Sequence, residues 1–174
     1  MELDQVDKIT ADAVGEPGQR TFYLQARAGE RAVTLLVEKQ QVELLAQSIL
    51  DILERVGKET DEGPDEAAMG LEPPLEPLFR VGRLSIGYAE DRDLLLLELE
   101  ELTEEEAEGE DEDLGPEPAR VRLWATREQM LALSRHGAAA VGRGRPECQY
   151  CGNPIDPEGH MCPAMNGHRG TSPA

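Results

Sequence analysis

The sequence predicts an α+β protein: a mainly antiparallel sheet covered by two helices, arranged as a strand-strand-strand-helix pseudo-repeat, with a small zinc-ribbon-like tail. Two groups of alternating apolar stretches are each followed by one stretch whose apolar residues recur at spacings of three and four. All three cysteines lie within the last 27 residues, among glycines and prolines. The α+β domain is therefore expected over 1–142 and the tail over 143–174.

Val6 to Val14 is the first strand expected, though it carries few apolar residues. In Arg20 to Ala28, Phe22, Leu24 and Ala26 share one face; beyond the turn at Gly29, Val33, Leu35 and Val37 alternate in the same way, which makes a hairpin. From Gln40 to Val56 the period changes. Val42, Leu45, Ile49, Leu53 and Val56 mark one face of an amphipathic helix that ends at Gly57. Residues 58–78 form a linker rich in acids, glycine and proline, unsuited to regular structure.

Strand patterning resumes at Phe79 to Ala89, with Leu84, Ile86 and Tyr88 on one face, and again at Leu94 to Leu102 after the Glu90–Asp93 turn. Leu94–Leu97 is apolar on both faces, which predicts a central strand covered on each side. Arg120 to Ala125 alternates next, turning Val121 and Leu123 inward and aligning Arg120 and Arg122 with Glu98 and Glu100 of the preceding strand. Thr126-Arg127-Glu128-Gln129 has the form of a capping box and opens the second helix. Its stripe of Met130, Leu133, Gly137, Ala138 and Val141 is narrowed by small residues, which predicts close packing.

Charge is distributed unevenly. The chain of 174 residues nets −19, yet Glu98 to Asp113 alone holds 11 acids and no base, while residues 114–174 hold 5 acids and 7 bases. The run predicts a disordered, solvated insertion over 103–118. A surface this acidic repels nucleic-acid backbones and anionic lipid, so no DNA and no membrane partner is expected. No stretch reaches the ~18–20 apolar residues of a membrane helix, and the N-terminal residues lack the pattern of a signal peptide. A cytoplasmic location is expected.

The tail carries the strongest chemical signal. Cys148-Gln-Tyr-Cys151 presents two thiolates, and His160-Met-Cys162 follows after eight residues. Zinc takes four N or S ligands tetrahedrally, so Cys148, Cys151, His160 and Cys162 make a Cys3His set for one structural zinc per chain. His168 is the alternative fourth ligand. Four protein ligands close the coordination sphere, which favours a structural over a catalytic metal. A second reading takes Cys148 and Cys151 as a redox dithiol, against which Gly152, Asn153 and Pro154 discourage the helix such motifs open.

No catalytic residue is assigned. Val14 to Arg20 lacks the Lys-Ser/Thr ending of a P-loop and precedes a strand, so it reads as a sharp turn. Ser134 and His136, near a helix end, have no nucleophile elbow around them and read as structural.

The stretches VGEPGQRTFYLQA (Val14 to Ala26), FRVGRLSIGY (Phe79 to Tyr88) and GRPECQYCGNPIDPEGHMCPAMNGHR (Gly144 to Arg169) resemble an actinobacterial family of conserved hypothetical proteins, domain of unknown function 3090. Gln149 stands where that family usually has Pro after the first cysteine. The resemblance implies no established activity. The residues favour a non-enzymatic, zinc-stabilised adaptor or regulatory binding module with a protein partner. The turn Glu16 to Gln19 is its expected partner surface outside the tail. The alternatives are a metal-dependent or small-molecule enzyme whose active site is not recognisable in the sequence, and a CxxC redox protein.

Overall fold

Each group of alternating stretches forms a three-stranded antiparallel meander that leads into a helix. The computed structural model describes residues 1–16, 18–103 and 117–143. In the first half these elements are β2 (Lys8–Val14), β3 (Thr21–Ala28), β4 (Arg31–Val37) and α1 (Lys39–Val56). In the second they are β5 (Val81–Ala89), β6 (Leu94–Glu101), β7 (Arg120–Ala125) and α2 (Arg127–Arg143). A two-residue strand, β1 (Glu2–Leu3), precedes both halves.

The expectation of a single antiparallel sheet is corrected. Hydrogen bonding divides the strands into a three-stranded sheet, β2-β3-β4, and a four-stranded one, β1-β7-β6-β5, whose β1 lies parallel to β7. The sheets touch where residues 78–80 run beside β4. There Leu78 N–H donates to the Thr34 carbonyl (2.8 Å) and Leu36 N–H to that of Phe79 (3.0 Å). The pairing stops at the single parallel bridge between Leu36 and Arg80. A register shift between Val81 and Arg83 follows, and such an irregularity bends and twists a strand, turning β5 away to pair with β6 alone.

The inward residues are those the alternation marks. Phe22, Leu24, Ala26, Val33, Leu35 and Val37 are buried in one sheet, and Leu95, Leu97, Leu99, Val121 and Leu123 in the other. Val42, Leu45 and Ile49 of α1 and Met130, Leu133 and Val141 of α2 close the same core. Each helix lies closest to the opposite half: α1 runs against β5, α2 against β2, and the helices against each other. Gly137 permits this close approach, since a Cβ there would stand 3.1 Å from Val42 Cγ1 and 3.7 Å from the Ala11 Cβ.

The helix ends follow local chemistry. α1 stops at Gly57, whose φ of 71° is the left-handed value glycine adopts without strain, and its N–H returns to the Leu53 carbonyl (3.2 Å). The capping box of α2 is formed reciprocally. Gln129 N–H donates to Thr126 Oγ1 (3.0 Å), and Thr126 N–H donates to Gln129 Oε1 (2.9 Å).

Two expectations are refined. Leu96 is only half-buried, because its face of the four-stranded sheet is covered by side chains rather than by a layer. Trp124 supplies that cover, with Arg92 stacked 4.0 Å from its ring and its Nε1–H donating to Glu2 Oε2 (2.7 Å). The 58–78 linker has one regular piece, a 3-10 turn at Glu66–Ala68, yet it is fixed by side chains. Thr10 donates to the Met69 carbonyl (2.6 Å), and Gln25 bonds both backbone groups of Glu72 (2.9 and 2.7 Å). Thr10, Gln25 and Thr34 stand in register across the three strands, so the linker covers a polar face that would otherwise be wet.

Arg120 and Arg122 align with Glu100 and Glu98 as their alternation predicts, and Arg120 pairs with Glu100 at 2.9 Å. Glu101 N–H bonds the Ala119 carbonyl (2.8 Å), closing the base of the acidic insertion. Residues 104–116 of that insertion lie outside the described residues. No helix among the described residues is long and apolar enough to cross a membrane.

Candidate functional site: a trough along an edge strand

β5 is paired along one side only; α1 approaches its other edge, where Gln41 Nε2 donates to the Val81 carbonyl (3.1 Å), and a hollow opens between them beyond that contact. A strand in this position keeps a row of backbone N–H and C=O groups without ladder partners. The hollow is a cavity of about 890 Å³, bounded by Gly82 to Ile86 on the strand and by α1 from Gln41 to Arg55, and it reaches round to Glu98 and Glu100 of β6 and Arg120 of β7. A second cavity of about 470 Å³ shares Ile52, Arg55 and Ile86 and continues to Tyr88 and Glu90. Together they form a trough that follows β5 from Gly82 to Glu90, roughly 30 Å at the rise of an extended chain.

The trough exists because α1 carries two stripes. Val42, Leu45 and Ile49 face the core, whereas Gln41, Leu44, Ser48, Asp51 and Arg55, at helical spacing, face the strand edge. Leu44 is 67% exposed at the rim, and Leu84 and Ile86 of β5 are half-buried on the floor.

One end of the trough is held by a charged knot. The Arg127 guanidinium forks onto Asp93, with Nε and Nη2 at 2.8 and 3.2 Å, while Nη1 donates to the Glu59 carbonyl (2.8 Å) and to Thr60 Oγ1 (2.9 Å). Tyr88 donates its hydroxyl proton to Asp93 Oδ1 (2.7 Å), and Lys58 Nζ donates to that hydroxyl oxygen (3.2 Å). The hydrogen bonds from Arg127 and Tyr88 hold the Asp93 carboxyl down to about 2, and the bond to Tyr88 with the charge of Asp93 raises Lys58. Asp93 adopts a left-handed backbone (φ 51°) to reach this position.

A second constellation surrounds His136. Its Nδ1 lies 2.6 Å from Glu66 Oε2 and its Nε2 2.8 Å from Asp12 Oδ2, while Arg143 donates to Asp12 Oδ1 (3.0 Å). Burial works to raise the Asp12 carboxyl, but the hydrogen bonds from His136 and from the Ala13 N–H hold it below its ordinary value. His136 lies in the middle of α2 rather than near its end, so carboxylates and not the helix dipole hold it. Ser134 donates to the Ala46 carbonyl of α1 (2.8 Å) and is no part of this group. Sequence reasoning left His136 without an acid because Asp12 and Glu66 lie 124 and 70 residues away.

Cys148, Cys151, His160, Cys162 and His168 lie outside the described residues. Among the described residues no group of His, Cys, Asp and Glu side chains has the arrangement of a metal site. Of the expected partner turn, Glu16, Gly18 and Gln19 are described: Gln19 N–H closes it on the Glu16 carbonyl (2.9 Å), and Gly18 has φ 90°.

Fold and site together define an α+β domain of two meander-plus-helix halves, with a strand-length trough at the free edge of the second. The chain belongs to the family described as protein of unknown function (DUF3090), whose profile matches residues 1–162. No match was found among curated proteins or among solved structures.

Proposed function

We propose that the protein is a non-enzymatic adaptor or regulatory binding module of the cytoplasm that takes up an extended segment of a partner protein along β5. The trough carries this reading. An edge strand offers main-chain hydrogen bonds to another strand, and the neighbouring wall selects alternate side chains. Leu44, Ile52, Leu84 and Ile86 suit apolar residues at those positions. Arg55, toward the Tyr88 end, suits an acidic group on the incoming segment. The group around Asp93 supports binding over catalysis, because its charges are already engaged with one another.

Selection of a random peptide library on the full chain tests the trough. Enriched peptides are expected to slow amide exchange across Gly82 to Tyr88, and Leu44→Lys to weaken them about tenfold through loss of one apolar contact. Peptides that protect other segments and bind the Leu44→Lys chain undiminished would remove this reading.

The tail in this proposal is stabilised by one zinc held by Cys148, Cys151, Cys162 and His160. Two ligand pairs separated by a Gly- and Pro-rich turn support it. The family profile ends at Cys162, enclosing these four residues and leaving His168 outside. Purified protein is expected to hold about one zinc per chain, to lose it in Cys162→Ser, and to keep it in His168→Ala. Retention of zinc by Cys162→Ser, measured by elemental analysis, sinks the assignment.

A further inference from the structure

A separate cavity of about 430 Å³, sharing no residue with the trough, gathers three cations from three parts of the chain. Arg20 comes from the residue before β3, Lys39 from the first turn of α1, and Arg80 from the approach to β5. Gly18 and Thr21 complete the rim, and Glu38 is the acid that lines it. In a chain that nets −19, cations are on average surrounded by acids, so three lining one concavity need a reason.

Two of the three are held in place. Arg20 donates to the Ala140 carbonyl (2.6 Å) and lies over the Phe22 ring at 5.3 Å. Arg80 is anchored by Glu38. Lys39 makes no hydrogen bond or ion pair among the described residues, and it opens α1 directly after the Glu38 N-cap. The Glu38 carboxylate serves the positive end of the helix dipole, which leaves the Lys39 ammonium available to a ligand.

We propose that this cavity binds the phosphoryl dianion of a small phosphate monoester. Three cations approaching from different elements match a tetrahedral dianion, whereas a planar carboxylate is satisfied by one forked guanidinium. The volume is within the range of small-ligand sites and exceeds what a bare phosphate fills, leaving space for an organic portion. The bulk negative charge does not oppose this, since salt screens it beyond about 8–10 Å while the three cations act at contact.

Titration of the full chain with phenyl phosphate, inorganic phosphate and acetate at fixed ionic strength tests the site. Both phosphates are expected to saturate, moving the amide signals of Gly18, Thr21, Lys39 and Arg80, while acetate leaves them in place. Tighter binding of phenyl phosphate assigns the site to an ester, and equal binding assigns the same chemistry to free phosphate. Lys39→Ala and Arg80→Gln are each expected to weaken binding about tenfold, the effect of one charge-assisted contact. Lys39 is exposed, so its variant folds and separates lost binding from lost structure. Unsaturable shifts shared by acetate, or wild-type affinity in both variants, would overturn the proposal. The cavity and the trough share no lining residue, so peptide selection on the trough is expected to be unchanged in Lys39→Ala and the two readings fail separately.

Discussion

Leu97→Ala is expected to cost about 3–4 kcal/mol of folding stability, read as a lower denaturant midpoint with an unchanged slope. Leu97 is fully buried in β6 and stands opposite Ile86 on one side and Leu123 on the other. Both neighbours are strand residues fixed by ladder hydrogen bonds, so the walls of the new cavity have little room to collapse. A cavity that keeps its shape lies at the expensive end of leucine truncations. The loss is a large fraction of the ~5–15 kcal/mol typical of a domain. Leu96→Ala, one residue away on the half-buried face, is the control and is expected to cost well under half as much. Equal losses at the two positions would contradict the assignment of inner and outer faces.

His136→Ala is expected to cost about 2–4 kcal/mol, because a buried ring is lost together with two charge-assisted hydrogen bonds. Asp12 keeps Arg143 and the Ala13 N–H, which limits the damage. The dependence on pH separates this contact from simple packing. The Asp12 carboxyl is held below its ordinary value in the folded protein, so its contribution is present above the unfolded value near ~3.9 and is lost as pH falls through the lower folded value. Wild type is therefore expected to lose more stability than His136→Ala on acidification below about pH 4. Parallel acid profiles, measured by denaturant titration, would show that the carboxylate contributes nothing through His136.

What the sequence shows plainly is local. The limits of β7 and the reciprocal bonds of Thr126 and Gln129 depend on residues within one turn or one alternating run, and both read directly. The pairing of Arg120 with Glu100 was legible because one short acidic insertion separates two alternating strands. The division into two sheets was not, because it turns on the bend after Arg80, where nothing in the alternation changes. Leu94–Leu97 suggested cover by layers on both sides, and the cover over Leu96 proved to be one tryptophan stacked under Arg92. The zinc ligands were proposed from spacing alone. The free edge of β5 had no sequence signal, being a property of strand order; the one legible trace of the trough was the second stripe along α1 from Gln41 to Arg55.

The arrangement of the helices has a consequence for how this chain becomes a protein. Each half hands its helix to the other, as two swapped subunits do, but within one polypeptide. The first 57 residues therefore lack the main packing partners of α1, which are α2 and β5. Separating the halves would uncover the apolar face of each helix. More than half of the contacts that secure the fold join residues far apart in sequence, which slows folding relative to a helical bundle of this size.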